Sequence, residues 1–403
     1  MSITAIGGAQ LSDGVTAPAG FRASGVTAGL KASGRPDLAL VVNDGPLQVG
    51  AAVFTTNRVV GAPVVWSRQV VTDHVVSAVV LNSGGANVCT GPAGFQDVHA
   101  TAERVGEVLG VSPGDVVVAS TGLIGERLPI DALLSGVAPA AEALSTTGGP
   151  AAAAAIMTTD TVPKTAHLTV DGDFGTWTVG GMAKGAGMLA PGLATMLCVI
   201  TTDAVVDEAT ADAALRAATA QTFDRVDSDG CMSTSDTVVL LVSGASGATP
   251  DPAGFAAGLT AVCGDLARQL VADAEGATHD IAVTVTGATT EAAALAVARA
   301  VTRSNLFKAA VFGNDPNWGR VLAQVGTVPE EVAPFDPGAV DVSINGVLVC
   351  RDGAAHAPRT DVDMAADRLV SVLVDLKAGG EVATVWTNDL THDYVHENSA
   401  YST

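Results

Sequence analysis

Thr195 joins two unlike stretches, the glycine- and proline-bearing approach GMLAPGLA (Gly187–Ala194) and the apolar run MLCVITT (Met196–Thr202). A threonine hydroxyl is a weak nucleophile, but it can attack the carbonyl of the residue before it. The resulting N-to-O acyl shift gives an ester, and hydrolysis then frees the threonine as a new N-terminus. Its α-amino group, with an ordinary pKa near ~8, can act as base for its own hydroxyl, so no histidine is needed. This chemistry wants a small preceding residue, a strained or exposed peptide and donors for an oxyanion. Ala194 is small, and glycine and proline can present a strained bond. A second stretch, VVVASTGLIGERLP (Val116–Pro129), runs from strand-like residues into Ser120-Thr121-Gly122. A glycine at a strand end can turn backbone N–H groups into a cleft, where they bind developing negative charge. The plain readings are also open: threonine favours strands, and glycine and proline punctuate turns.

Other motifs reduce to structure. HLTVDG (His167–Gly172) fits a His-x-x-x-Asp-Gly pattern of acyl transfer, but TAHLTVDGDFGTWTV alternates on both sides of its loop and reads as a hairpin with His167 facing solvent. GAGMLA (Gly185–Ala190) has the spacing of a dinucleotide loop, yet Pro191, Gly192 and the run after Thr195 leave no room for the helix it should open. DRVDSDG (Asp224–Gly230) lacks the alternate ligands and later glutamate of a calcium loop and reads as a polar turn capped by its own side chains. No His/Cys spacing suggests zinc, and no metal is expected.

These residues need a frame. A chain of 403 residues is long enough for two domains or one large layered unit. The net charge of −22 disfavours nucleic acid and anionic membrane as partners. No apolar run approaches the ~18 residues of a spanning helix. The opening MSITAIGGAQLSDG lacks a basic segment followed by an apolar core, so no secretory signal is expected. Five scattered cysteines suggest no disulfide framework, and the expected compartment is the cytoplasm. Buried strands are expected at Leu38–Val42, Val75–Leu81, Val116–Ala119, Met196–Thr201 and Val238–Val242. Helices are expected at Gln96–Leu109, Asp207–Thr222, Phe255–Ala272 and Thr290–Thr302. The mixture predicts layered α+β or α/β architecture, with candidate boundaries at Ser145–Ala154 and Ser243–Phe255.

The segment KGAGMLAPGLATMLCVITTDA (Lys184–Ala204) resembles the cleavage-site signature of the ornithine acetyltransferase family, also called bifunctional glutamate N-acetyltransferases. Further blocks match in order: NSGGANVCTGPAGFQD (Asn82–Asp97), STGLIGERLP (Ser120–Pro129), IMTTDTVPK (Ile156–Lys164), FDRVDSDGCMSTSDT (Phe223–Thr237), FGNDPNWGRVLA (Phe312–Ala323) and HENSAYST (His396–Thr403). The resemblance spans nearly the whole chain. It implies self-cleavage between Ala194 and Thr195 into an α chain, residues 1–194, and a β chain, residues 195–403, that stay together. It implies mixed sheets sandwiched between helical layers, with a smaller second α/β domain, assembled as a heterotetramer of two α and two β chains. Thr195 then takes the acetyl group of N-acetylornithine and passes it to glutamate in arginine biosynthesis.

Thr121 and Gly122 match the oxyanion-hole pair of that family. The matching substrate-binding positions are Thr158, Lys184, Thr195, Glu275, Asn398 and Thr403. Taken without the resemblance, Lys184 reads as a surface lysine and Glu275 as an exposed residue after a helix. No cofactor is implied, and acetyl-CoA as a further donor stays open. The chain departs from the pattern at Leu193, Cys231 and Ser235, where Met, Asp and Asn are more usual; the last two bear on packing. Two other readings stay open: an N-terminal-nucleophile amidase or aminopeptidase, in which water takes the acyl group, and a non-catalytic paralogue that binds N-acetylated amino acids.

Overall fold

The valine-rich runs fold as strands buried on both faces. The structure is a computed structural model that describes residues 2–5, 13–173, 175–190 and 196–400. Ala194, Thr195 and Thr403 lie outside the described residues. A first sheet has the order β1 (Ser2–Ala5), β7 (Lys164–Gly172), β8 (Gly175–Lys184), β9 (Leu197–Thr202), β10 (Thr237–Val242) and β4 (Val49–Phe54). A second has β2 (Phe21–Val26), β3 (Leu38–Asn43), β5 (Ala78–Ser83) and β6 (Val116–Thr121). Both are mixed: β9 and β10 pair parallel, as do β5 and β6, and the other pairs are antiparallel.

Strand alternation puts the two sheets face to face. Leu197, Val199, Val239 and Leu241 share one core with Val79, Leu81, Val117 and Ala119. Their neighbours Cys198, Ile200, Val238 and Leu240 turn the other way, onto helices α5 (Glu208–Gln221) and α6 (Pro252–Ala272). Val80 and Val118 turn outward onto α2 (Gly91–Leu109) and α3 (Ile130–Glu142). A period of two with both faces buried requires four layers, helix, sheet, sheet, helix. Helices α1 (Ala62–Val70) and α4 (Gly149–Ala155) complete this unit.

The smaller domain is a third sheet of order β14 (Ala354–Ala355), β13 (Val347–Arg351), β12 (Asp341–Ile344), β15 (Leu369–Asp375), β11 (Asp280–Ala288) and β16 (Glu381–Asn388). Its core packs against α7 (Glu291–Thr302), α8 (Asn305–Phe312) and α9 (Trp318–Val325). The chain returns from β16 to α10 (His392–Ala400).

Several expectations need correction. The small domain begins at β11, after α6, so neither 145–154 nor 243–255 is a boundary: the first holds α4 and the second leads straight into α6. Glycine- and serine-rich stretches look like linkers in sequence, but Ala152 and Ala153 pack in the core between the two sheets, and Ala248 and Phe255 in the core under α5 and α6. DRVDSDG is the joint between the domains. Asp227 N–H donates to Trp386 O at 2.8 Å, Ser228 Oγ donates to Asn388 Oδ1 at 2.7 Å, and Arg303 Nε donates to Asp227 Oδ2 at 2.7 Å. Asp227 is buried, and Asp229 makes the expected local turn bond, accepting from Cys231 N–H at 3.0 Å. His167 does sit in the β7–β8 hairpin, but it is half-buried. It pairs with Gly180, and a Cβ on Gly180 would meet Gly14 O at 2.0 Å, so the Gly14–Thr16 turn covers that face. GAGMLA forms bends and no helix.

Candidate active site

The two sheets bring the ends of β6 and β8 together. Thr121 is the last residue of β6, and Lys184 is the last residue of β8, paired with Leu197 at the start of β9. Lys184 is 2% exposed, so it is not the surface lysine that its turn-rich neighbourhood suggests. Its ammonium donates to Thr121 Oγ1 at 3.2 Å.

Gly122 follows at φ 129°, and a Cβ there would meet Gly85 N at 2.6 Å. Only glycine fits this conformation and this approach. The NSGGAN block supplies the opposing wall: the Gly84 and Gly85 N–H groups both donate to Thr121 O at 3.0 Å. Ser120 Oγ donates to Asn82 Oδ1 at 2.6 Å, and Asn82 Nδ2 donates to Gly85 O at 3.2 Å. The turn is therefore held by its own network, which is the preorganisation an oxyanion site needs.

The IMTTDTVPK block explains itself at Asp160. Its carboxylate is buried and accepts from Gly185 N–H at 2.7 Å, Thr158 N–H at 2.9 Å and Lys164 Nζ at 2.7 Å. Lys164, wholly buried, also donates to Asp273 Oδ2 at 2.6 Å. Burial opposes the charge on Asp160, but the Lys184 and Lys164 ammonium groups and the Gly185 N–H outweigh it and hold the carboxyl down at about 2. Burial lowers the pKa of Lys184, Asp160 draws it back up, and Lys164 lowers it further. Such perturbed groups concentrate at functional sites.

On the other flank, Glu275 N–H donates to Ala186 O at 3.0 Å. The Glu275 carboxylate lies over Gly187, where a Cβ would meet Oε1 at 2.6 Å. Asn398 Nδ2 donates to Glu275 Oε2 at 2.9 Å. Glu275 is half-buried, not exposed. The described candidates Thr121, Gly122, Thr158, Lys184, Glu275 and Asn398 thus gather along the Lys184–Leu189 approach. Thr195 and Thr403 cannot be placed from the described residues, nor can Ala194.

The frame beyond that approach is described again at Met196. Its N–H donates to Asp236 Oδ1 at 3.0 Å, and its carbonyl accepts from Thr237 N–H at 3.1 Å. Asp236 is fully buried, which pushes its carboxyl well above the carboxylate range. Among the described residues, Asp236 Oδ2 and the neighbouring Ser235 Oγ, at one of the departures noted above, have no hydrogen-bond partner. Sequence reasoning missed Asp160, Lys164 and Asp236. The available signal was their setting: Asp160 and Lys164 flank Pro163, and Asp236 directly precedes the apolar run TVVLLV. In a chain only 15% charged, acids and lysines against buried strands are candidates for paired or functional groups. Among the described residues no cluster fit for a metal ion occurs, and no helix is long and apolar enough to cross a membrane.

A family model described as the ArgJ family matches residues 22–403. The chain belongs to the ArgJ family. It is 62% identical over 388 residues to the arginine biosynthesis bifunctional protein ArgJ of Streptomyces avermitilis, a match covering 96% of this chain and 99% of that one. It is 59% identical over 389 residues to the ArgJ of Thermobifida fusca, covering 96% and 100%. A solved structure of ornithine acetyltransferase complexed with ornithine, from Mycobacterium tuberculosis, shares 56% identity at a TM-score of 0.43, covering 46% of this chain and 98% of that chain. The sequence blocks that resemble the family therefore lie in a true ArgJ-family chain, and its layered fold is the one they imply.

Proposed function

We propose that this protein is the arginine-biosynthesis acetyltransferase that moves an acetyl group from N-acetylornithine to glutamate, releasing ornithine and N-acetylglutamate. The observation that carries this reading is the convergence of Thr121-Gly122, Lys184 and Glu275 on the chain leading to Thr195. The Thr195 hydroxyl attacks the Ala194 carbonyl, the acyl group shifts from nitrogen to oxygen, and water hydrolyses the resulting ester, leaving chains 1–194 and 195–403. The hydroxyl of the freed Thr195 then attacks the acetyl carbonyl of N-acetylornithine. Its proton passes by way of the α-amino group to the departing ornithine amine, and an acetyl ester forms. Glutamate reverses the sequence and carries the acetyl group away.

Each described side chain has work in that cycle. Thr121 and Gly122 stabilise the tetrahedral oxyanion; one such donor is commonly worth about 3–4 kcal/mol in the transition state. Lys184, whose ammonium form the Asp160 charge favours against burial, pairs with the substrate carboxylate. Thr158 is fixed by Asp160, and Glu275 with Asn398 accepts an amino group. Thr403 completes the substrate-binding set, and Asn398 of α10 bonds to Glu275. The pieces stay together as two α and two β chains in the cytoplasm, and glutamate acetylation with acetyl-CoA against N-acetylornithine tests whether acetyl-CoA is a second donor. No cofactor or metal takes part in this mechanism.

Denaturing mass spectrometry should show two fragments meeting at Ala194–Thr195, and Thr195→Ala should remain one inactive chain. A fully active intact chain refutes the mechanism. Acetate formed in place of N-acetylglutamate identifies an amidase, and binding of N-acetylornithine without ornithine release identifies a non-catalytic paralogue.

A further inference from the structure

Beyond the residues assigned above, a small polar cavity opens between the domains on the far side of Glu275. Its lining includes Asp229, Glu275, Asn305, Lys308, Asp389 and Tyr394, and its volume is about 40 Å³. At roughly 10–15 Å³ for each water-sized occupant, it holds a charged group and a few atoms, not a whole amino acid.

The lining carries both signs of charge. Lys308, from α8, is buried and donates through Nζ to Ser228 O. Asp229 N–H donates to Leu189 O at 3.3 Å, which ties this acid to the approach before Thr195. Glu275 belongs both to the cavity and to the site beside Gly187. Tyr394 sits where Gly276, at φ 63°, lets α10 pass: a Cβ on Gly276 would meet Tyr394 N at 2.3 Å.

We propose that this cavity seats the charged ends of both substrate side chains, the ornithine ammonium against Asp229 and Glu275 and the glutamate carboxylate against Lys308. The inference rests on the acetyl-transfer reading of the site. In a two-step transfer through one nucleophile, ornithine leaves the seat that glutamate takes. Their reacting ends are alike, but their side chains end in opposite charges. A desolvated wall of one sign would hold one substrate and repel the other by a large factor. A wall with a buried lysine and carboxylates serves both. Burial raises the pKa of Asp229, which lessens the cost of a carboxylate entering beside it.

The test separates the half-reactions on the purified, cleaved protein. Mixing with N-acetylornithine and quenching gives the rate at which the chain beginning at Thr195 gains an acetyl mass. Adding glutamate to the isolated acetyl-enzyme gives the rate of its loss. Lys308→Gln should slow the glutamate step by about tenfold or more and the N-acetylornithine step by less than about threefold, the size expected for one charge-assisted bond. Asp229→Asn should do the reverse. A lysine that only braces Ser228 would slow both steps by the same factor, and that result, or no change in either step, overturns the proposal. Should Lys308→Gln fail to fold, Asp229→Asn decides alone: selective loss on the N-acetylornithine step supports the cavity, and equal loss on both refutes it. An unsubstituted protein that never gains the acetyl mass refutes the parent reading instead.

Discussion

Replacing Asp160 by Asn keeps the shape of the side chain and removes one charge from the most densely paired point of the site. The consequence divides into stability and activity. For stability, the gap between the ordinary 3.8 of an aspartate and the value of about 2 held in the fold corresponds to about 2–3 kcal/mol of preference for the charged form. Removing one member of a buried ion pair typically costs about 3–5 kcal/mol. Lys164 keeps Asp273 as a partner, so the lower figure is expected, about 2–3 kcal/mol. Because the folded pKa is depressed, this stabilisation is fully present above about 3.8 and is lost as pH falls toward 2. Urea midpoints measured from pH 2 to 7 should converge for the two proteins toward the acid end. For activity, Lys184 loses its nearest counter-charge while Lys164, Asp236 and Glu275 remain around it. Its pKa falls further below the ordinary value, so the alkaline limb of kcat/KM moves to lower pH. An Asp160→Asn protein with an unchanged midpoint near neutral pH and an unmoved alkaline limb would refute the coupling argued here.

Gly122→Ala places a methyl group 2.6 Å from Gly85 N in a backbone conformation at φ 129° that alanine resists. It should lower kcat by about 100-fold or more with a smaller change in KM, and slow self-cleavage in parallel, as a displaced oxyanion donor would. Phe255→Ala empties a fully buried position of α6 against the first sheet and should cost about 3–5 kcal/mol in urea unfolding, with the residual folded protein keeping its kcat.

The strands of the sandwich were legible because both of their faces are covered. Val238–Val242 and Val116–Ala119 are continuous apolar runs, and continuous runs signal burial on two sides. Strand ends were less so: the expected Val75–Leu81 forms as β5 at Ala78–Ser83, because Asn82 and Ser83 pair with β6 although polar. Helix α2 begins five residues before the expected Gln96, at Gly91 with Pro92 in its first turn, a polar start with no apolar periodicity to mark it. In the site, the Thr121-Gly122 turn was legible as a strand running into glycine, whereas Lys184 and Glu275 were named through the family resemblance, and nothing in the local sequence tells a buried Lys184 from a surface one. Asp160 and Lys308 depend on contacts with Lys164, Gly185 and Ser228, which only the folded chain brings together.

The first sheet interleaves strands from both sides of Thr195: β8 and β4 come before it in the chain, while β9 and β10 come after. Six residue pairs join β8 to β9, and six join β4 to β10. Cutting between Ala194 and Thr195 therefore leaves two chains that share a hydrophobic core, neither of which retains the first sheet whole. An uncut chain would fold by a first-order process, whereas a cut protein, once unfolded, would have to find its other half by collision. Its apparent stability then depends on protein concentration, and dilution alone favours the unfolded chains. Self-cleavage would thus make assembly a one-time event: folding builds the site, the site cuts the chain, and the record of how to fold in one piece is lost with the bond.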